Sequence, residues 1–424
     1  MHRRLLSGWI LGAGLAGAIS AGAQSDAAPP APPAWQDARG LLQNPDFIRS
    51  ASGETTLVAR GVSFCGHIHL RTNQWSFTAL APEEMEQGRQ LLERALSKYP
   101  LALLSNRLAH ACLFRAPGLT QFRDGDWRKT AAGTYNLDSV YFGLQDGPRN
   151  RGGGDRFSEA VFHHELSSLL VGHNPGLFRA DAWRAANPPG FKYNDSGSGS
   201  PIATTRFLED GFVCTYGMSD IENDINTYAM WLFTRADWLF AEAAQHPRVK
   251  KKVKILAQFY RKLDPVFTRE FFLRHCQTVL DAEDQAQLAV LTQAIADAPA
   301  DCAPYGQRAR FYNNLGLIPE AIQDADHALR LDPRYAYGYF VRGWALSRSG
   351  LFQDAADDFT RAISFDPSWI PAYHERAHAY DKLDRPADAR QDRKTAMELH
   401  AARLDPVTDD GSPVPPLAPR ESAP

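Results

Sequence analysis

The stretch Phe157-Ser158-Glu159-Ala160-Val161-Phe162-His163-His164-Glu165-Leu166-Ser167-Ser168-Leu169-Leu170 decides how the first part of the chain is read. Its apolar residues recur at Phe157, Ala160, Val161, Leu166, Leu169 and Leu170, the spacing of a helix with a wide buried face. On that helix sits His164-Glu165. A histidine four residues after His164 would share its helix face, and two such imidazoles can hold one zinc ion. The glutamate beside the first can then take a proton from metal-bound water. Position 168 is Ser, so the pattern is begun and not completed.

The chain has 424 residues, 44% hydrophobic and 22% charged, with a net charge of −3. That suffices for two or three domains with a sizeable core and gives no sign of a polyanion-binding protein. The local run Arg248-Val249-Lys250-Lys251-Lys252-Val253-Lys254 reads as a solvated helix face, with an anion-binding patch as the alternative.

Arg3 and Arg4, the apolar run Leu5 to Ile19 and Ala21-Gly22-Ala23 have the order of an export signal with an A-x-A-type cleavage site. The mature chain is therefore expected to start at Gln24, in the periplasm or outside the cell. No Cys follows the run, which argues against a lipid anchor, and the flanks of the two arginines suit twin-Arg export poorly. No later stretch is long and apolar enough to span a bilayer. The cysteines are Cys65, Cys112, Cys214, Cys276 and Cys302, an odd count that leaves at least one unpaired or shared. Cys276 with Cys302 and Cys65 with Cys112 can form bridges; buried reduced thiols are the other reading.

Residues 24–43 are a Pro/Ala-rich linker, and a globular domain is expected over 44–300. Thr55 to Arg60, Val62 to Leu70 and Gly133 to Phe142 read as strands, Pro82 to Tyr99 as a helix, and Leu101 to Phe114 as either. A Gly/Arg-rich loop, Gly147 to Asp155, delivers the chain into the His-Glu helix. The Pro-, Gly- and Ser-rich stretch from Asn187 to Ser200 is a long loop, either a substrate-binding edge or an excursion without a role. A second helix follows, capped by Ser219 or Asp220 and carrying Glu222 and Asp224; helical patterns continue from Trp238 to Ala298.

Phe162-His163-His164-Glu165, the strand Gly133-Thr134-Tyr135, the loop Asn187-Pro188-Pro189-Gly190-Phe191-Lys192-Tyr193 and the Glu222-x-Asp224 helix together resemble the zinc-binding metallopeptidases of exported bacterial proteins. The resemblance covers roughly residues 50–270 and implies an α+β zincin-like domain of the gluzincin type. It implies His164 as a Zn2+ ligand, Glu165 as general base and Glu222 or Asp224 as the downstream acidic ligand. Ser168 departs from the pattern, because a neutral hydroxyl is a poor zinc ligand. His163 is the neighbouring metal candidate, although adjacent helix residues point about 100° apart. His173, just past the helix, and the His67/His69 pair on one strand face are further sources of the missing ligand. Tyr216 or Tyr228 can polarise a carbonyl or simply fill the core.

The last part of the chain repeats. Pro333 and Pro367 are 34 residues apart, as are Gly316 and Gly350; Tyr305, Tyr339 and Tyr373, Ala321, Ala355 and Ala389, and Ala328, Ala362 and Ala396 keep the same interval. This period resembles the tetratricopeptide repeat (TPR), a helix–turn–helix unit. Three repeats are expected over 301–402, an all-α solenoid, the third departing at Asp384 where Gly is usual. By the resemblance, Arg310, Asn313, Asn314, Trp344, Arg348, His374, His378 and Lys382 face a groove that would take a peptide or an acidic chain end. Alternatively the repeats only brace the first domain. Residues 403–424 are a Pro-rich tail expected to lack fixed structure. Two functions follow: an exported zinc peptidase with a TPR interaction module, or a metal-free relative serving as a TPR scaffold in the cell envelope.

Overall fold

The computed structural model describes residues 36–62, 67–116, 120–123, 126–129, 132–145, 154–195, 199–200, 202–277, 280 and 282–404. The export signal, most of the linker, Cys65, the loop 146–153, Ser196–Ser198 and the tail from 405 lie outside the described residues.

One sheet has the strand order β1 (Ile48–Ser50), β4 (His110–Ala116), β8 (Ser139–Gln145), β7 (Gly133–Tyr135). The first three are parallel and β7 closes the edge antiparallel. The expected strand 133–142 is thus two strands: Asn136 N–H donates to the Ser139 carbonyl and the chain reverses there. The second sheet is antiparallel, in the order β2 (Gly53–Val62), β3 (Ile68–Phe77), β5 (Thr120–Arg123), β6 (Asp126–Lys129). The expected strand Val62–Leu70 is not one strand: Val62 ends β2, Ile68 to Leu70 open β3, and residues 63–66 lie outside the described residues. Leu57, Trp75 and Phe77 pack on Phe114, so one apolar cluster joins the two sheets. The ambiguous segment after Leu101 divides into a one-turn helix, Leu101–Leu104, and β4.

Helices cover the first sheet. α1 (Pro82–Leu96) starts with Pro at its first turn and acids behind it, and buries Leu91, Leu92, Ala95 and Leu96. α2 is the short Leu101–Leu104 turn. α3 (Gly154–His173) carries His164 and lies along β7 and β8. Gly133 permits this, since a Cβ there would stand 2.9 Å from Glu165 Cγ. α4 (Ala180–Arg184), α5 (Ile221–Thr234), α6 (Ala236–Gln245), α7 (Pro247–Leu263) and α8 (Arg269–His275) complete an α+β domain. Asp220 caps α5 by accepting from Asn223 N–H. No described helix is long and apolar enough to cross a membrane. Cys276 and Cys302 are free thiols, so they do not form the bridge considered from the sequence; Cys112 and Cys214 are free and buried.

The rest is a helical stack: α9 (Ala282–Asp297), α10 (Cys302–Leu315), α11 (Ile318–Leu331), α12 (Ala336–Arg348), α13 (Phe352–Phe365), α14 (Ile370–Lys382) and α15 (Pro386–Leu404). Its helix pairs have the TPR architecture. One arginine per repeat reaches both ways: Arg308, Arg342 and Arg376 clamp Asp324, Asp358 and Asp392 with two bonds of 2.6–2.8 Å each. Their remaining nitrogens donate to Thr292, Asp326 and Thr360 in the preceding helix. Tyr305, Tyr339 and Tyr373 donate to the carbonyls of Pro299, Pro333 and Pro367. α9 therefore stands where the second helix of a preceding repeat would, and the stack begins one helix earlier than Cys302.

Gly316 and Gly350 turn the chain between paired helices at φ of 75° and 77°, and Asp384 takes the same role at φ 56°. A side chain there costs on the order of 1 kcal/mol. Asp384→Gly is expected to stabilise the protein by about 0.5–1 kcal/mol, read as a rise of roughly 2 °C in thermal melting.

Candidate functional site

α3 and α5 cross so that His164, Glu165 and Ser168 meet Glu222 and Asn226. Glu222, at the start of α5, is buried at 5% exposure and accepts four hydrogen bonds. Oε1 accepts from Ser168 Oγ at 2.8 Å, Tyr135 OH at 2.6 Å and Arg71 Nη2 at 3.1 Å; Oε2 accepts from Val62 N–H at 3.0 Å. Asn226 Nδ2 donates to Ser168 Oγ at 2.5 Å. Gly61 leaves room on β2 for this approach: a Cβ there would lie 3.2 Å from Glu222 Oε2 and 3.1 Å from Arg71 Cδ, a tight fit.

Beside this network Glu165 is buried, and burial pushes its carboxyl up to about 8, with Arg71 opposing and Glu222 adding to the shift. Burial draws the His164 imidazole down to about 4, against the pull of Glu222 and Asn223. Its ring stacks on Tyr216 at 5.7 Å. At neutral pH the pair is a neutral acid next to a neutral imidazole.

His163 and Asp224 point elsewhere. His163 is in the core, bonded through Nδ1 to Tyr99 OH at 2.9 Å and stacked on Phe233. Asp224 Oδ2 accepts from Lys252 Nζ at 2.7 Å, Tyr193 OH at 2.7 Å and Trp183 Nε1 at 2.8 Å, on the side of α5 away from His164. Tyr228 donates to the Gly211 carbonyl in the same core. His173 bonds the Leu137 carbonyl, and His67 and His69 are exposed beside the hairpin tip.

Zinc, implied by the resemblance, finds a poor donor set here: one imidazole, a hydroxyl already donating to Glu222, and a carboxylate already accepting four hydrogen bonds. Among the described residues, no three His, Cys, Asp or Glu side chains converge as metal ligands. The sequence reading left out Tyr135, Arg71 and Asn226. Asn226 alone carried a signal, one helical turn after Glu222 on the same face.

On the repeats, the first helices α10, α12 and α14 touch in succession and form one face. Arg310, His374, His378 and Lys382 are exposed on it, and Trp344 and Asn314 half-buried. Asn313 is fully buried, donating to the Val341 carbonyl, and Arg348 bonds the Asn313 carbonyl. These two hold helices together rather than face outward. The ladder Arg308/Arg342/Arg376 with Asp324/Asp358/Asp392 keeps the same 34-residue interval in the sequence.

The loop before α5 is clamped to the repeats. Ser200 Oγ donates to the Arg348 carbonyl at 2.6 Å, Thr215 Oγ1 to the Ser349 carbonyl at 3.3 Å, and Arg206 pairs with Asp354 at 3.0 Å. Arg235 of the first domain pairs with Glu320.

No family model matches the chain. Hsp70-Hsp90 organizing protein 2 of Arabidopsis thaliana is 40% identical over 52 residues, 12% of this chain and 9% of that protein. The wheat (Triticum aestivum) Hsp70-Hsp90 organizing protein is 39% identical over 51 residues, again 12% and 9%. The chain thus spans 9% of the length of these curated relatives. Among solved structures, the second TPR of Spaghetti (RPAP3) bound to the HSP90 peptide SRMEEVD is 24% identical, covering 23% of this chain and 92% of that one at a TM-score of 0.23. MamA is 17% identical, covering 39% and 91%, at a TM-score of 0.27.

Proposed function

We propose that the chain is an exported scaffold that binds a peptide or protein partner along the first-helix face of its repeats. Its first domain is of zincin ancestry and has given up metal chemistry. The observation that carries this is the Ser168–Glu222 hydrogen bond: the residue replacing the second histidine is spent on the acidic residue that would be the third ligand. Arg71 supplies Glu222 with the positive charge a metal would otherwise provide. Arg310 and Lys382 give the repeat face positive charges that can meet carboxylates, and His374 and His378 add exposed imidazole hydrogen-bonding groups beside them.

The full chain, expressed with its leader and purified from the periplasm or medium of a bacterial host, is expected to begin at Gln24. After dialysis it should hold far less than one zinc per chain, and His164→Ala should change nothing. About one tightly held zinc, lost in His164→Ala, would overturn the metal-free reading. The peptidase reading, with His164 and Glu222 as ligands and Glu165 as base, would then stand in its place. An uncleaved leader would remove the exported part of the proposal.

A further inference from the structure

α7 (Pro247–Leu263) holds seven cations and no acid in its 17 residues. The whole chain has a net charge of −3, so everything outside this helix carries −10. Lys252 turns inward onto Asp224, and Arg248 is half-buried. Lys250, Lys251, Lys254, Arg261 and Lys262 are exposed. At about 100° per residue these five occupy an arc of about 120°, opposite the buried Val249, Val253, Leu256 and Phe259. Pro247 and Gln258 are the other residues on that arc. From Lys250 to Lys262 the stripe is about 18 Å long.

Folding does not call for this pattern. The first turn of a helix favours acids, and here it holds Arg248 and no acid; only Arg261 and Lys262, in the last turn, suit the helix dipole. Lys254 stands four residues from Lys250 and three from Lys251, so like charges adjoin and repel. None of the five makes an ion pair among the described residues, and of their side chains only Lys262 touches a polar group, the Leu177 carbonyl at 3.5 Å. Glu209 and Glu242, beside the start of α7, pair with His246 instead.

A row of long cationic side chains on a convex helix fits a flat anionic surface. The outer ones reach down beside the helix while the central ones meet the surface, so all five come within a screening length of it, about 8 Å at physiological salt. The acidic remainder of the chain is repelled by the same surface, which leaves α7 as the face that turns towards it. Pro247 is the one apolar residue on the arc, so the contact is electrostatic and shallow. The arc has no aromatic ring on which a base could stack and a single amide, that of Gln258, which disfavours nucleic acid.

We propose that the outer face of α7 docks the protein on a bilayer of anionic phospholipid, held by headgroup phosphates and released by salt. The docking is independent of what the repeats bind. Each cation near such a surface strengthens binding about fivefold.

The test is co-sedimentation with vesicles, using the chain from Gln24 so that the apolar run Leu5 to Ile19 cannot insert. Vesicles of phosphatidylcholine and phosphatidylglycerol in equal parts are expected to bind it, and phosphatidylcholine alone to leave it in solution. Lys251→Gln combined with Lys254→Gln should weaken binding about 25-fold. Lys192→Gln combined with Arg390→Gln, exposed cations elsewhere, should change it by less than about twofold. An unchanged urea midpoint in both double variants ties any loss to the surface rather than to the fold. No sedimentation with the anionic vesicles, equal sedimentation with both compositions, or equal losses in the two double variants overturns the proposal. So does tighter binding to a DNA duplex than to the vesicles, weakened by the same α7 substitutions, which would assign the face to nucleic acid.

Discussion

Lys252→Ala is expected to destabilise the protein by about 3–5 kcal/mol, the usual cost of leaving one member of a buried ion pair alone. Lys252 and Asp224 are both fully buried, and the ammonium is surrounded by the Phe212, Trp183 and Tyr228 rings at 3.9, 5.5 and 5.6 Å. Burial raises the Asp224 carboxyl and lowers the Lys252 ammonium, and their 2.7 Å contact opposes both shifts. Removing the lysine leaves Asp224 with only the Tyr193 and Trp183 donors. The measurement is a urea midpoint at constant slope. Lys251→Ala, one residue away and exposed, should move it by no more than about 0.5 kcal/mol. Equal effects of the two would mean that the buried pair does not hold the domain.

The second large effect is on the alkaline side of the stability curve. Glu165 keeps its proton in the fold up to about pH 8 but loses it near 4.5 when unfolded. Its contribution is complete below 4.5 and is lost as pH rises towards 8. His163 and His164 behave oppositely, neutral in the fold down to about 4 and protonated below 6.5 when unfolded, so their contribution is lost as pH falls from 6.5. Asp220, raised to about 6 by burial, gives up most of its contribution below 6.5. Between pH 6.5 and 8 Glu165 lowers stability by about 1.6 kcal/mol and the end of the two histidine titrations restores about 0.8, so stability is expected to fall by about 1 kcal/mol. Glu165→Gln cannot ionise and should flatten that limb. An unchanged slope in the variant would show that Glu165 is not the group responsible.

These two residues also mark where the sequence could be read and where it could not. The basic run 248–254 reads as a solvated face because periodicity reports the average of a helix, and a single inward lysine among outward ones leaves no trace in it. Its partner Asp224 lies 28 residues away, and nothing local joins them. The α3–α5 crossing was legible because both helices announce themselves by caps and apolar spacing. What Glu222 does there was not, since its donors come from β2, β3, β7 and α3, and a four-way meeting has no sequence period. The repeats were the most legible part, since identical units place identical residues at one interval. The same interval, carried back to Thr292, Ala294 and Pro299, would have found α9 as well.

A stack in which each helix touches only its neighbours comes apart like a zipper, from whichever end is free. Here the middle is held: Ser200, Thr215 and Arg206 fasten the α12–α13 corner to the first domain, and Arg235 fastens α11. Fraying from α15 therefore travels inward only as far as the anchored repeats, and α11 to α13 are the last part of the stack to open.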